Sequence, residues 1–264
     1  MKGFAPSCRI CASSTRECFT AKILKKYDVV YYICDNCGFL QTEEPYWLEE
    51  SYHAAITVSD TGGLLRSLSL TEITSILIYF LFDKNARYLD FAGGYGLLTR
   101  RMRDIGFNFY WQDRYSPNLL ARGFEYNNDL GTVEVVTSFE SFEHFENPLE
   151  EIETMLSVSK TIIFTTDLLP NPIPKPDDWY YYGLHHGQHI SFYSSQTLQF
   201  IANRYHLNLY SIDSLHILTE RYFHPLQLKL LLKLRRFGLF YYVKRNVKSK
   251  TVADSIEMAK QCKC

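Results

Sequence analysis

The stretch from Tyr88 to Asp113, YLDFAGGYGLLTRRMRDIGFNFYWQD, limits the folds open to this chain more than any other. Tyr88 to Phe91 is apolar with an acid inside it and reads as a strand. Ala92, Gly93, Gly94 and Gly96 then bring the backbone round into a helix whose apolar face begins with Leu97, Leu98 and Met102. A second apolar strand, Phe107 to Trp111, follows. Glycines let backbone approach a ligand closely, and the unsatisfied N–H groups at a helix start favour electron-rich atoms. A nucleotide-type ligand is the expected occupant of such a turn.

The kind of nucleotide turns on Asp90. A dinucleotide fold places a pyrophosphate at its first glycine turn, and a carboxylate there would repel it. S-adenosylmethionine (SAM) has no phosphate and carries a sulfonium and an ammonium, so an acid at the strand end suits it. The run Asp90-Phe91-Ala92-Gly93-Gly94-Tyr95-Gly96 resembles the D-x-G-x-G-x-G turn of the class I SAM-dependent methyltransferases, with Ala92 in place of the first glycine. Asp113 falls 23 residues after Asp90, at the end of the second strand, where the family's acid accepts hydrogen bonds from both ribose hydroxyls. The resemblance implies an α/β fold with a Rossmann-like, doubly wound, seven-stranded sheet. It also implies a SAM site built from Asp90, Ala92, Gly93, Gly94, Gly96 and Asp113.

A chain of 264 residues accommodates one such domain with a small appendage. A formal net charge of −1 provides no global field to recruit nucleic acid. Seven cysteines and an N-terminus without an apolar core point to a reducing cytoplasm, and a soluble protein is expected. Charge is uneven: Val133 to Ser159 holds seven Glu and no Lys or Arg, and Leu226 to Lys250 holds eight Lys or Arg and no acid.

Cys8-x-x-Cys11 and Cys34-x-x-Cys37 form two knuckles separated by 22 residues that include the alternating Val29-Val30-Tyr31-Tyr32-Ile33. A hairpin there brings both pairs round one tetrahedral zinc. Four thiolates close the metal's shell and make it structural. Redox-active pairs or plain buried cysteines are the alternatives. Cys18, Cys262 and Cys264 fit neither pair. A four-cysteine zinc segment ahead of a class I methyltransferase domain is similar to the sugar C-methyltransferases, which carry a further large domain that this chain is expected to lack. The domains expected are a zinc-binding segment at 1–45, the methyltransferase domain at 62–222 and a basic helical tail at 223–264.

Between these landmarks, Glu43 to Asp60 reads as a linker whose Tyr46, Trp47 and Tyr52 cover the ligand site. Leu64 to Phe82 reads as a helix ending in the run Ile76 to Phe82, apolar on nearly all faces and so buried against the sheet, and Pro117 to Arg122 as a short helix followed by a brief strand near Phe124. After a strand at Val133 to Thr137, Glu143-His144 resembles the family's segment following strand four, which the doubly wound topology directs towards the methyl donor. A structural role, capping the next helix or bonding backbone, is the alternative. Lys160 to Thr166 is a buried fifth strand. Asp167 to Ile190 follows as a long loop with aromatic residues at 179–182, a length that suggests a lid or substrate platform able to stack on a sugar ring. His189 resembles the family's histidine ahead of the last helix, with a satisfied hydrogen-bonding role as the alternative; metal binding by the loop histidines is the sharper idea, but no carboxylate stands at recognisable ligand spacing from them. The pair Leu207 to Ile212 and Leu215 to Thr219 reads as antiparallel strands closing the sheet. In the tail, Leu226, Leu230, Leu234, Phe237 and Tyr241 follow helical spacing beside Lys229, Lys233 and Arg236. This stripe packs on the domain or a partner copy, or attaches peripherally to an anionic membrane or an acidic protein.

The reading is a methyltransferase acting on a small acceptor, a sugar, nucleotide sugar or glycan precursor. His144 and His189 are its candidate proton acceptors, and Glu143 is a third candidate catalytic residue. A zinc-ribbon scaffold with a non-catalytic SAM-binding domain is the alternative from another class.

Overall fold

In the computed structural model, residues 5–52 and 60–261 are described. The chain divides into two compact units: Met1–Thr57, Phe139–Leu156 and Ile163–Glu220 form the first, and Val58–Ser138, Ser157–Ile162 and Arg221–Cys264 the second. The strands are β1 (Arg16–Ile23), β2 (Tyr27–Ile33), β3 (Leu40–Thr42), β4 (Arg87–Phe91), β5 (Asn108–Gln112), β6 (Val135–Ser138), β7 (Thr161–Thr165), β8 (Ser191–Phe192), β9 (Asn208–Ile212) and β10 (Leu215–Thr219). One sheet has the order β1-β2-β3-β8 and the other the order β5-β4-β6-β7-β10-β9.

In the second unit, β4 pairs in parallel with β5 and with β6, placing Asp90 opposite Trp111 on one side and Thr137 on the other. The expected strand near Phe124 is reduced to a single parallel bridge between Trp111 and Glu125, so the sheet has six strands among the described residues and not seven. Trp111 N donates to Phe124 O and Tyr126 N to Trp111 O. Gly123, at φ +87°, bends the chain on one side of the bridge, and an Asn127-capped 3-10 turn ends the extended run on the other. The helix expected at Pro117 to Arg122 does not form. Leu119 and Leu120 N both turn to Tyr95 O, and Asn118 Oδ1 takes the Ala121 N–H, so the donors that would start the helix are used elsewhere.

The helix Gly63–Leu81 buries Ile76, Leu77 and Ile78 but leaves Leu64 and Leu65 exposed, a correction to the expectation of burial on nearly all faces. It is the one helix among the described residues that is long and apolar enough to cross a membrane by length and composition. The tail helices Pro225–Leu234 and Leu239–Arg245 pack on it. They bury Leu228, Leu231, Phe240 and Val243, and leave outside four members of the stripe read from the sequence: Leu226 (69% exposed), Leu230 (54%), Phe237 (76%) and Tyr241 (65%). A further helix, Thr251–Gln261, docks through Asp254, which receives Arg103 Nη2 at 2.7 Å and Arg100 Nη2 at 2.8 Å. Cys262 and Cys264 lie outside the described residues.

In the first unit, β1 and β2 form the antiparallel hairpin expected between the cysteine pairs. Its inner face joins Trp47, Tyr181, Tyr182, Ile190 and Phe192 in one buried cluster. Tyr181 and Tyr182 are therefore core residues, a correction to the stacking platform expected of them, while Tyr180 is exposed. The pattern explains this: alternating aromatic residues on a short hairpin need an apolar cover, and the long loop provides it. Trp47 is likewise buried, its Nε1 donating to Gly187 O, and residues 53–59 of the expected linker lie outside those described. β9 and β10 pair antiparallel as expected, and Ser194 caps the helix Ser195–Arg204 in a reciprocal capping box with Thr197.

Candidate functional site

The glycine turn is built on a buried acid. Asp90 is 2% exposed; its Oδ2 accepts from Thr99 Oγ1 at 3.0 Å and its Oδ1 from Thr137 Oγ1 at 3.2 Å. Burial pushes its carboxyl up to about 7, against the two threonine bonds that hold it down. A cation nearby would favour the ionised form. Gly93 sits directly over this acid, since a Cβ there would meet Asp90 Oδ2 and Trp111 Cδ1, each at 2.8 Å. Ala92 adopts φ +55°, the left-handed conformation for which a glycine is the unstrained choice. Gly94, also left-handed, faces open space: a Cβ added there meets nothing within 4 Å.

Asp113 closes the turn from the end of β5. Its Oδ2 accepts from Gly94 N at 2.9 Å, and its Oδ1 from Tyr115 N and Ser116 N, each at 2.7 Å. A carboxylate has about four acceptor positions, so three are occupied by backbone. Trp111 Nε1 donates to Gly94 O at 2.8 Å, fixing the same residue from its other side. Gly96, left-handed at φ +84°, leads directly into the helix Leu97–Ile105. Asp90, Ala92, Gly93, Gly94, Gly96 and Asp113 thus form one local assembly in the second unit. Thr99, Thr137 and Trp111 were not singled out from the sequence. Thr137, a polar residue closing the apolar run Val135-Val136, was the visible signal.

The second group of candidates lies in the first unit. Glu143 and His144 occupy a 3-10 turn, Phe142–His144, and Phe142 stacks on Phe164 of β7 at 3.9 Å between ring centroids. Ile190 N donates to Glu143 O at 2.9 Å and Ser191 Oγ to Phe145 O at 2.7 Å, so the two histidine-bearing segments are fastened side by side. The His144 and His189 rings consequently meet edge to face, 4.9 Å between centroids. His189 Nδ1 contacts Tyr181 O at 2.6 Å, and His144 Nδ1 contacts Tyr52 OH at 2.9 Å. Burial pushes the Glu143 carboxyl up to about 8, helped by the nearby Glu140. Burial and the neighbouring His186 hold His144 down at about 4, so it is neutral at physiological pH. An uncharged imidazole in this setting can accept a proton or a metal ion.

The four knuckle cysteines converge, their Sγ atoms all within 4.8 Å of one another. Cys8 and Cys37 Sγ are 3.5 Å apart and Cys11 and Cys34 Sγ 3.4 Å, contacts that cross between the two knuckles. A disulfide would need about 2.05 Å. Four thiolates at about 2.3 Å from a tetrahedral zinc lie about 3.8 Å from one another, close to the spacing found. Gly38 N donates to Cys34 O and Ala12 N to Cys8 O, forming the two tight turns, and Gly38 adopts φ +70°.

Among known families, the one described as "Methyltransferase domain" matches residues 66–212, more than half of the chain. No curated protein matches. Among solved structures, the chain is similar to the plantazolicin methyltransferase BpumL in complex with a monoazolic desmethylPZN analog and SAH. That match has 14% identity and a TM-score of 0.50, covering 76% of this chain and 88% of that one. An O-methyltransferase family protein from Burkholderia thailandensis gives 14% identity and a TM-score of 0.48, with 67% of this chain and 62% of that one covered. Magnesium protoporphyrin IX methyltransferase from Synechocystis PCC 6803 with bound SAH gives 12% identity and 0.42, with 65% and 90% covered.

Proposed function

The chain belongs to the methyltransferase-domain family and is a SAM-dependent methyltransferase, and we propose that its acceptor is a small sugar, nucleotide sugar or glycan precursor. The observation that carries the donor reading is a glycine turn seated on a buried acid, with open space at Gly94 and a second acid hydrogen-bonded to that residue. These residues suit a phosphate-free cationic nucleoside better than a dinucleotide. SAM, when bound, supplies an electrophilic methyl group on a positively charged sulfur. Asp90 stabilises that charge through its field, both of its oxygens being held by Thr99 and Thr137. Asp113 offers its remaining acceptor position to the ribose, and Ala92, Gly93, Gly94 and Gly96 line the approach.

His144 and His189, with Glu143, are proposed to serve the acceptor, taking the proton that a hydroxyl or carbon acid loses as the methyl arrives. Support for a sugar-related acceptor comes from the four-cysteine segment ahead of the domain, for which we propose one structural zinc on Cys8, Cys11, Cys34 and Cys37. The division into a zinc segment (1–45), a catalytic domain (62–222) and a basic tail (223–264) is part of the same proposal. Exposed Leu226, Leu230, Phe237 and Tyr241 beside Lys229, Lys233 and Arg236 favour a peripheral contact of the tail with an anionic membrane or an acidic partner.

Calorimetric titration with SAM, SAH and NAD, followed by turnover with a panel of sugar nucleotides and free sugars, tests the reading. SAM and SAH are expected to bind, NAD is not, and methylated sugar is expected in the panel. Tight NAD binding without SAM binding would overturn the donor assignment. SAM binding with methylation confined to unrelated acceptors would overturn the acceptor class. SAM binding with no turnover on any acceptor would favour the scaffold alternative.

A further inference from the structure

We propose that Glu143, His144 and His189 form a binding site for one divalent first-row transition-metal ion, separate from the four cysteines. Sequence spacing gave no hint of this, because the carboxylate comes from the turn after β6 and one histidine from the end of the long loop. The fold brings one ligand atom from each residue within 4.8 Å of the others. An independent observation points the same way. Glu143 is 1% exposed, and its Oε2 has no hydrogen-bond partner among the described residues. A buried carboxylate oxygen without a donor is costly, and a cation beside it offsets that cost.

The surroundings of the histidines also suit a metal. A carbonyl oxygen only accepts, so the 2.6 Å contact with Tyr181 O places the His189 proton on Nδ1 and the lone pair on Nε2. Metal-bound histidines are held this way, with the other ring nitrogen donating to a carbonyl or a carboxylate. Tyr52 OH lies 2.9 Å from His144 Nδ1, and which of the two donates depends on the tautomer. The hydrogen bond from Ile190 N to Glu143 O pins the two segments at Glu143 itself and next to His189, so the donor set is held by the fold. Two imidazoles and one carboxylate favour zinc, iron(II), cobalt or manganese over calcium or magnesium, which prefer all-oxygen shells. Three protein ligands would leave coordination positions for water or another oxygen ligand.

This inference rests on the acceptor-side placement proposed above for these residues but changes their part in it: with the ion bound, the two imidazoles would hold the metal instead of taking the proton themselves. It is tested without any acceptor. The full-length chain, as purified, is equilibrated with Co2+ under reducing conditions; all bound metals are counted and the absorption spectrum recorded. Cobalt on the cysteines shows a thiolate charge-transfer band, whereas cobalt on Glu143, His144 and His189 does not. One metal ion per chain lacking that band is expected in addition to the thiolate-bound ion. Glu143→Gln, which preserves shape, and His189→Ala should each weaken it at least tenfold, with the thiolate-bound ion and SAM affinity unchanged as measures of folding. Absence of a second ion in the unaltered chain overturns the proposal. So does a second ion whose affinity neither substitution changes. Either result leaves the methyl-transfer reading intact, since that is decided by SAM titration and turnover.

Discussion

The Gly94 amide donates to Asp113 Oδ2 at 2.9 Å, tying the glycine turn after β4 to the acid after β5. Asp113 therefore shapes the turn, beside the ligand role proposed for it. Asp113→Ala leaves the amides of Gly94, Tyr115 and Ser116 without their acceptor and, on the proposed donor site, would remove the ribose acceptor. SAM affinity is expected to fall roughly ten- to a hundredfold, or about 1.5–3 kcal/mol for the lost charged hydrogen bond. Calorimetry reads this directly, and affinity within twofold of the parent would remove Asp113 from the donor site.

Elemental analysis should find one thiolate-bound zinc per chain. Cys34→Ser is expected to lose it and to become protease-sensitive within the first 45 residues, where the hairpin relies on the staple. SAM affinity should survive, because the glycine turn and its acids belong to the other compact unit. Protein purified under reducing conditions without zinc would contradict this.

The Glu143 carboxyl is raised from 4.5 to about 8 by burial, so the metal-free fold prefers its protonated form. Its contribution to stability is fully present below about pH 4.5 and is lost as pH rises through about 8. His144, lowered from 6.5 to about 4, acts in the opposite sense, adding stability as pH rises from about 4 to 6.5. In metal-free buffer, Glu143→Gln should remove a fall in stability that approaches about 1.4 kcal/mol per pH unit between about pH 5.5 and 7 and flattens as pH passes about 8. Urea unfolding at half-unit steps measures it, and parallel curves for the two proteins would refute the assignment.

On the proposed acceptor-side role, His144→Ala and His189→Ala should each lower turnover by about 10²–10⁴ with SAM affinity nearly unchanged. A histidine that only packs would lower stability without this selective loss. Full turnover in both variants would leave positioning as the sole contribution of this segment.

Asp254 is the anchor of the last helix, and Arg103 beneath it is itself buried. Asp254→Ala leaves that guanidinium without its carboxylate, and a loss of about 3–5 kcal/mol is expected. Limited proteolysis should then cleave near Ser249 in the variant at protease levels the parent resists. Equal resistance would show that the helix is held by other contacts.

The glycine turn, its two acids and the paired cysteines were legible in the sequence because each depends on residue type and short spacing. A left-handed turn calls for glycine, an acid stands out at the end of an apolar strand, and a cysteine knuckle repeats its interval. The strands of the parallel sheet were readable for a similar reason, as brief apolar runs between turns. Which face of an amphipathic tail turns inward was not readable: Leu226, Leu230, Phe237 and Tyr241 have the right period, yet Leu228, Leu231, Phe240 and Val243 are the residues buried against Gly63–Leu81. Periodicity gives the spacing of a stripe, and only the partner surface selects the stripe. The aromatic residues of the long loop became core for the same reason, since the β1–β2 hairpin needed a cover. The meeting of Glu143, His144 and His189 depended on tertiary structure altogether, because the hydrogen bonds from Ile190 N to Glu143 O and from Ser191 Oγ to Phe145 O join segments that no local rule relates.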